Sequence, residues 1–289
     1  WMEIGWERRF RGEFAKAEEA ADKSIAATPY WNNLGLKIGL ALEWRVDTAL
    51  ALATLRRMPP AVLQEDFGIG FADLVYDWSR QQSARLTFLN SVPKEWLNSQ
   101  IFVGPRAYLV GQTRLALGQK EAGERELRRA LELIEQKLGQ QPNDQTLLVL
   151  KARTLHLLGE RSEAANVYRL ATQLGRTPII RWTAALFEAP EAGISELEQA
   201  YEKKLYWPTA ASLRLSPDFD ALREHPQFKA LQAKLDADPR TSPSAMAAKP
   251  ASTAATSETR SVAVLPFANQ SVDKDNEYFS DGISEELSV

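Results

Sequence analysis

The chain has no cysteine and only two histidines, His156 and His225, in 289 residues. The first absence excludes disulfides, thiolate metal sites and cysteine nucleophiles together, and it leaves the redox compartment open. The second leaves two imidazoles far apart in sequence, too few for a histidine metal cluster. No P-loop, G-x-S-x-G, H-E-x-x-H or kinase signature appears, so nothing points to catalysis or to a bound cofactor. Apolar runs fall short of the about 20 residues that cross a bilayer, and no charged stretch leads into an apolar one at the start of the chain. An excess of either charge is missing too: 35 basic against 38 acidic residues give −3. Six of the acids and one lysine lie in 261–289, while 1–240 sum to +1, a balance with no basic footprint for a nucleic-acid backbone.

What is present is the composition of an ordinary globular protein, 44% apolar and 25% charged, and a short pattern that recurs. Trp1-x-x-Ile4-Gly5 is answered by Trp31-x-x-Leu34-Gly35. Gly12-Glu13-Phe14-x-x-Ala17 is answered by Gly118-x-x-x-x-Gly123 and by Gly159-Glu160-Arg161-x-x-Ala164. With Ala17, Ala49, Ala84, Gly123 and Ala164 taken as equivalent, the offsets are 32, 35, 39 and 41 residues. This resembles the tetratricopeptide repeat, a helix pair of about 34 residues with W-x-x-L-G-x-x-Y on its first helix and a small residue on its second. The resemblance implies an all-α fold, a right-handed α-α superhelix of the tetratricopeptide-like solenoid kind, with residues 1–235 as the array.

The pairs are punctuated by proline. Pro29 closes the first, Pro59-Pro60 the second, Pro93 the third and Pro142 the fourth, because proline cannot continue a helix. About two extra residues are expected before Ala49, and an overlong second helix in the fourth pair, running on through Glu135 to Leu138. Gly68 and Gly70 read as a turn ahead of Phe71, since no strand precedes them to make a phosphate loop. The fifth pair, Leu148 to Leu174, fits the repeat best, and a shorter sixth follows between Pro178 and Pro208. Ser216-Pro217 reads as a helix start, Pro226 as another, and Phe219, Leu222, Phe228 and Leu231 as the apolar cover for the last exposed face. Leu-x-x-x-Pro-x-x-Asp-x-Leu-Arg-x-x-Pro-x-Phe-x-x-Leu in this stretch resembles the tail closing such arrays in large bacterial regulators.

Residues 236–260, rich in Ala, Ser, Thr and Pro, bury too little to offset their chain entropy and are expected to be a disordered linker. Residues 261–289 change period: Val262-Ala263-Val264-Leu265 before Pro266 reads as a strand, and Ile283 to Leu287 as a helix start. That string resembles the opening of the TolB N-terminal domain and of the flagellar protein FlgO, here a truncated α/β start. Both ends of the chain read as cut from a longer polypeptide. The carboxylates Asp273, Asp275, Glu277 and Asp281 fail the spacing of a calcium loop.

The repeat resemblance implies a partner groove lined by first-helix residues. Its positions carry over to Met2, Trp6, Arg9 and Phe10 in the first pair and to Asn32 and Leu36 in the second. They continue at Tyr108 and Gln112 in the fourth pair and at Val149, Arg153 and His156 in the fifth. Trp6, Arg9, Asn32, Tyr108, Gln112, Arg153 and His156 are the partner-binding candidates, with Arg153, His156 and Gln112 as one cluster; the competing reading of each is an ordinary packed or solvated side chain. The expected function is a non-catalytic protein-protein interaction scaffold that binds a peptide or partner domain, part of a bacterial signalling protein. No cofactor, metal, nucleic acid or direct membrane insertion is expected, and the oligomeric state is open. A cytoplasmic location is expected unless the parent carries a membrane anchor. The alternative is the regulatory region of an enzyme, a protein kinase or adenylate cyclase, whose catalytic domain lies elsewhere.

Overall fold

The computed structural model describes residues 1–27, 31–99, 101–203 and 208–238. Pro29, the 239–260 part of the expected linker and the expected 261–289 domain start lie outside the described residues. The described residues are mostly helical, in fourteen α-helices: α1 Met2–Phe10, α2 Phe14–Ala27, α3 Trp31–Glu43, α4 Thr48–Leu55, α5 Asp66–Trp78, α6 Gln82–Ser91 and α7 Arg106–Ala116, then α8 Lys120–Gln140, α9 Gln145–Leu157, α10 Arg161–Gln173, α11 Pro178–Phe187, α12 Pro190–Glu202, α13 Ala210–Leu215 and α14 Pro226–Asp236. Six consecutive pairs, α1/α2 to α11/α12, pack as helical hairpins. Asp236, the first residue of the expected linker, is still helical.

The recurring glycine is the turn inside each pair. Gly12, Gly118 and Gly159 take φ of 71°, 75° and 83°, and the next residue donates its N–H to the carbonyl five back, as in Glu13 to Arg8 and Gln119 to Arg114. The second and third pairs use Val46 and Arg80 for the same left-handed step, φ 56° and 58°. Counted on these turn residues, the spacings are 34, 34, 38 and 41. The expected equivalences Ala49 and Ala84 are therefore corrected to Ala51, fully buried, and Arg85, 2% exposed, each five residues past its turn. The expected insertion before Ala49 disappears with that correction, because Val46 carries no glycine to mark the turn.

The two longer spacings have separate causes. Between α6 and α7 an antiparallel hairpin is inserted, β1 Trp96–Asn98 against β2 Val103–Pro105, which the helical reading did not contain. Its loop is tied by Ser99, whose Oγ accepts from the N–H of Ile101 and Phe102. The fourth pair is lengthened by the 21 residues of α8. Gly68 and Gly70 form no turn: both are buried inside α5. A 3-10 turn at Val62–Gln64 presses so close that a Cβ on Gly68 would lie 2.0 Å from the Val62 carbonyl oxygen.

Small residues let paired helices touch. Gly111 and Gly123 face each other across α7 and α8, and a Cβ on either would come within 3.0 to 3.1 Å of the other's carbonyl oxygen. The end of the fold is sealed by Phe219, Leu222, Phe228 and Leu231, all buried against Ile194 and Leu197 of α12. Ser216 caps the 3-10 turn Pro217–Leu222 by accepting from the Asp218 N–H.

Candidate functional site

The first helix of every pair, α1, α3, α5, α7, α9 and α11, contributes walls to two cavities of about 360 and about 470 Å³. The cavities share Leu74, Trp78, Ile101 and Trp182. Residues 209–218 contribute to the lining of both. Thr209 and Ser212 line the smaller cavity, α13 packs on α3, and Leu215 sits on the cluster built from α3, α4 and α5. Ser216 and Asp218 line the larger. Thr209 starts α13 with a reciprocal cap: its side chain accepts from the Ser212 N–H, and Ser212 Oγ accepts from the Thr209 N–H.

Asp218 is the clamp of that segment. Its Oδ1 accepts from Arg153 Nη2 at 2.8 Å and its Oδ2 from Trp182 Nε1 at 2.7 Å. Arg153 Nε also donates to the Tyr108 hydroxyl at 3.1 Å. Burial works against the Arg153 charge, but Asp218 and Tyr108 outweigh it and hold the guanidinium above its ordinary range. Tyr108 itself is pushed up by burial.

A second ionic cluster lines the same cavity. Arg85 occupies the place where the other pairs have Ala or Gly, so its guanidinium is carried into the interior at the α5/α6 crossing. It donates to both oxygens of Asp73 at 2.7 and 3.0 Å, to Asp77 Oδ1 at 2.5 Å and to Gln112 Oε1 at 3.1 Å. Asp77 Oδ1 takes a further bond from Gln82. Burial pushes the Asp77 carboxyl up, and the neighbouring Asp73 and Asp218 add to it against the pull of Arg85. In the smaller cavity Arg9 makes a forked ion pair with Glu43, at 2.6 to 2.9 Å, and lies over the Trp6 ring at 4.9 Å.

Five of the seven residues chosen from sequence line these cavities: Trp6 and Arg9 the smaller, Tyr108, Gln112 and Arg153 the larger. Asn32 and His156 line neither. His156 lies outside the lining that Arg153 and Gln112 share, and its ring packs edge-on against Phe187, 5.5 Å between centroids. Burial and the charges of Arg161 and Arg153 hold its pKa down. Leu36 is wholly core, packed with Phe14 and Trp44.

Sequence reasoning missed Asp73, Asp77, Trp78, Arg85, Trp182 and Asp218. A signal existed for the acids, since Asp73 and Asp77 are one helical turn apart with an arginine following at the next crossing. None existed for Asp218, whose partner Arg153 is 65 residues away. Among the described residues no group of His, Asp and Glu is placed to hold a metal ion, and no helix is long and apolar enough to cross a membrane. The chain matches no protein-family model, and no curated protein matches it.

Proposed function

We propose that this chain is a non-catalytic recognition module, a right-handed solenoid of tetratricopeptide-like helix pairs that takes a short helical acidic peptide of a partner protein along its inner face. The observation that supports this most is internal. The chain's own residues 209–218 lie along the first helices, with one apolar anchor, Leu215, and one carboxylate, Asp218, clamped by Arg153 and Trp182. A partner presenting an apolar residue and an acid three apart would meet the same groups, in the manner of peptides read by pockets plus an arginine. The resemblance of the string in 261–289 to the openings of TolB and FlgO supports reading the module as part of a larger bacterial regulatory protein.

The test is competition for the clamp. A fluorescent peptide copying residues 209–222 is titrated by anisotropy against the wild-type chain and against Asp218→Ala, with folding of both checked by circular dichroism. The reading expects binding to Asp218→Ala and little to the wild type, whose clamp is filled. Equal binding of a scrambled peptide to the variant defeats it.

A further inference from the structure

We infer that the larger cavity is a binding site for an organic monocation, an ammonium group carried on an apolar or aromatic body. The inference stands apart from the peptide reading, because it concerns the space of about 470 Å³ left when residues 209–218 are already in place. That volume lies within the roughly 300–1,000 Å³ range of small-molecule pockets.

The charge of the walls sets the sign of the ligand. Three carboxylates, Asp73, Asp77 and Asp218, face two guanidiniums, Arg85 and Arg153, so the walls carry one negative charge in excess. Outside the lining, Asp220 pairs with Arg80 at 2.7 and 2.8 Å and with Arg223 at 2.9 Å, so the excess is a property of the lining groups alone. The excess falls on one atom. Both oxygens of Asp73 accept from Arg85, and both oxygens of Asp218 are taken by Arg153 and Trp182. Asp77 has only Oδ1 engaged, by Arg85 and Gln82, which leaves Oδ2 as the acceptor without a hydrogen bond among the described residues. The side chain as a whole is 17% exposed.

The rest of the wall suits a cation with an apolar body. Trp78 follows Asp77 directly, and Trp182, Phe102, Tyr108 and Ile179 are also part of the lining. Aromatic rings attract an ammonium through their negative faces, most strongly where water is excluded, and they pack the hydrocarbon attached to it. Arg153 keeps unused N–H donors, yet an anion drawn to them would enter beside three carboxylates. A cation instead completes the ion balance at Asp77.

The experiment compares three probes of one shape, phenethylammonium, neutral 2-phenylethanol and anionic 3-phenylpropionate, by isothermal titration calorimetry on the whole chain. Phenethylammonium is expected to bind about tenfold or more tightly than the alcohol, the size of one charge-assisted hydrogen bond, and the carboxylate most weakly. Asp77→Asn keeps the Oδ1 acceptor for Arg85 and removes the charge; it should remain folded by circular dichroism and bind the ammonium no better than the alcohol. Trp78→Leu should weaken the ammonium more than the alcohol. The proposal is overturned if the ammonium shows no advantage in the wild type, if 3-phenylpropionate binds best, or if the preference survives in folded Asp77→Asn.

Discussion

Replacing Asp218 with alanine removes the carboxylate that joins residues 209–218 to α9 and α11, and the cost follows from what is left behind. The Arg153 and Asp218 side chains are 19% and 17% exposed, so the pair is neither a surface bridge of marginal worth nor a sealed one. Breaking a buried pair by deleting one partner costs about 3–5 kcal/mol. Here Arg153 keeps the Tyr108 hydroxyl and faces a cavity, which moves the figure to the low end, while the lost Trp182 Nε1 bond adds about 1 kcal/mol. A net loss of about 3 kcal/mol lowers Tm by roughly 6–12 °C in a domain of this size. Arg153→Met supplies the control: with the charge gone, Asp218→Ala should cost much less, a coupling of about 1–3 kcal/mol in a double-mutant cycle followed by urea melts. Additivity of the two substitutions within about 0.5 kcal/mol would refute the reasoning, because it would mean that the clamp does not hold the segment.

Two glycines in helices should respond oppositely to alanine. At Gly68 the Val62 carbonyl bars the new Cβ, so a helix-propensity gain of about 1 kcal/mol is overtaken by an overpacking cost of about 1–3 kcal/mol or more, whereas Gly139, with open space around it, should gain about 0.5–1 kcal/mol; chemical melts check both. Val46→Gly should stabilise by about 1 kcal/mol by the same assay, since a β-branched residue at φ 56° is strained and glycine is not. Burial raises the Glu18 carboxyl, but Arg45 and Lys37 outweigh it and hold the pKa below the ordinary 4.5. Its contribution is therefore present above that value and lost as pH falls through the folded pKa, so Glu18→Gln should flatten the acid limb of a stability-pH curve. Asp77 runs the other way: burial lifts it above 3.8, so its contribution is full below that value and lost as pH rises through the folded pKa. Asp77→Asn should then gain on the wild type at neutral pH, and the gain should shrink in acid.

The parts of the fold legible in the sequence are those whose cause is local. A left-handed turn residue is announced by glycine at Gly12, Gly118 and Gly159, and the helices on either side follow from it. Where Val46 and Arg80 make the same turn the announcement is missing, and the equivalences slid by two residues at Ala49 and by one at Ala84. That one-residue slip concealed the chemistry, because it put an alanine where the crossing holds Arg85, and an arginine at a crossing built for small residues must bring its own carboxylates. Asp73 and Asp77 are those carboxylates, and the wall they make is a consequence of the packing. The other wall has no local cause at all. Arg153 was legible as an inner-face residue, but its role is fixed by Asp218, which belongs to the closing segment and arrives only when the chain has folded back across its own first helices. First-helix residues read from sequence as the lining of a groove thus share their cavities with residues 209–218 of the same chain. On the two proposals, what binds there depends on the Asp77 oxygen left without a hydrogen bond and on the strength of the Arg153–Asp218 clamp that a competing acid would open.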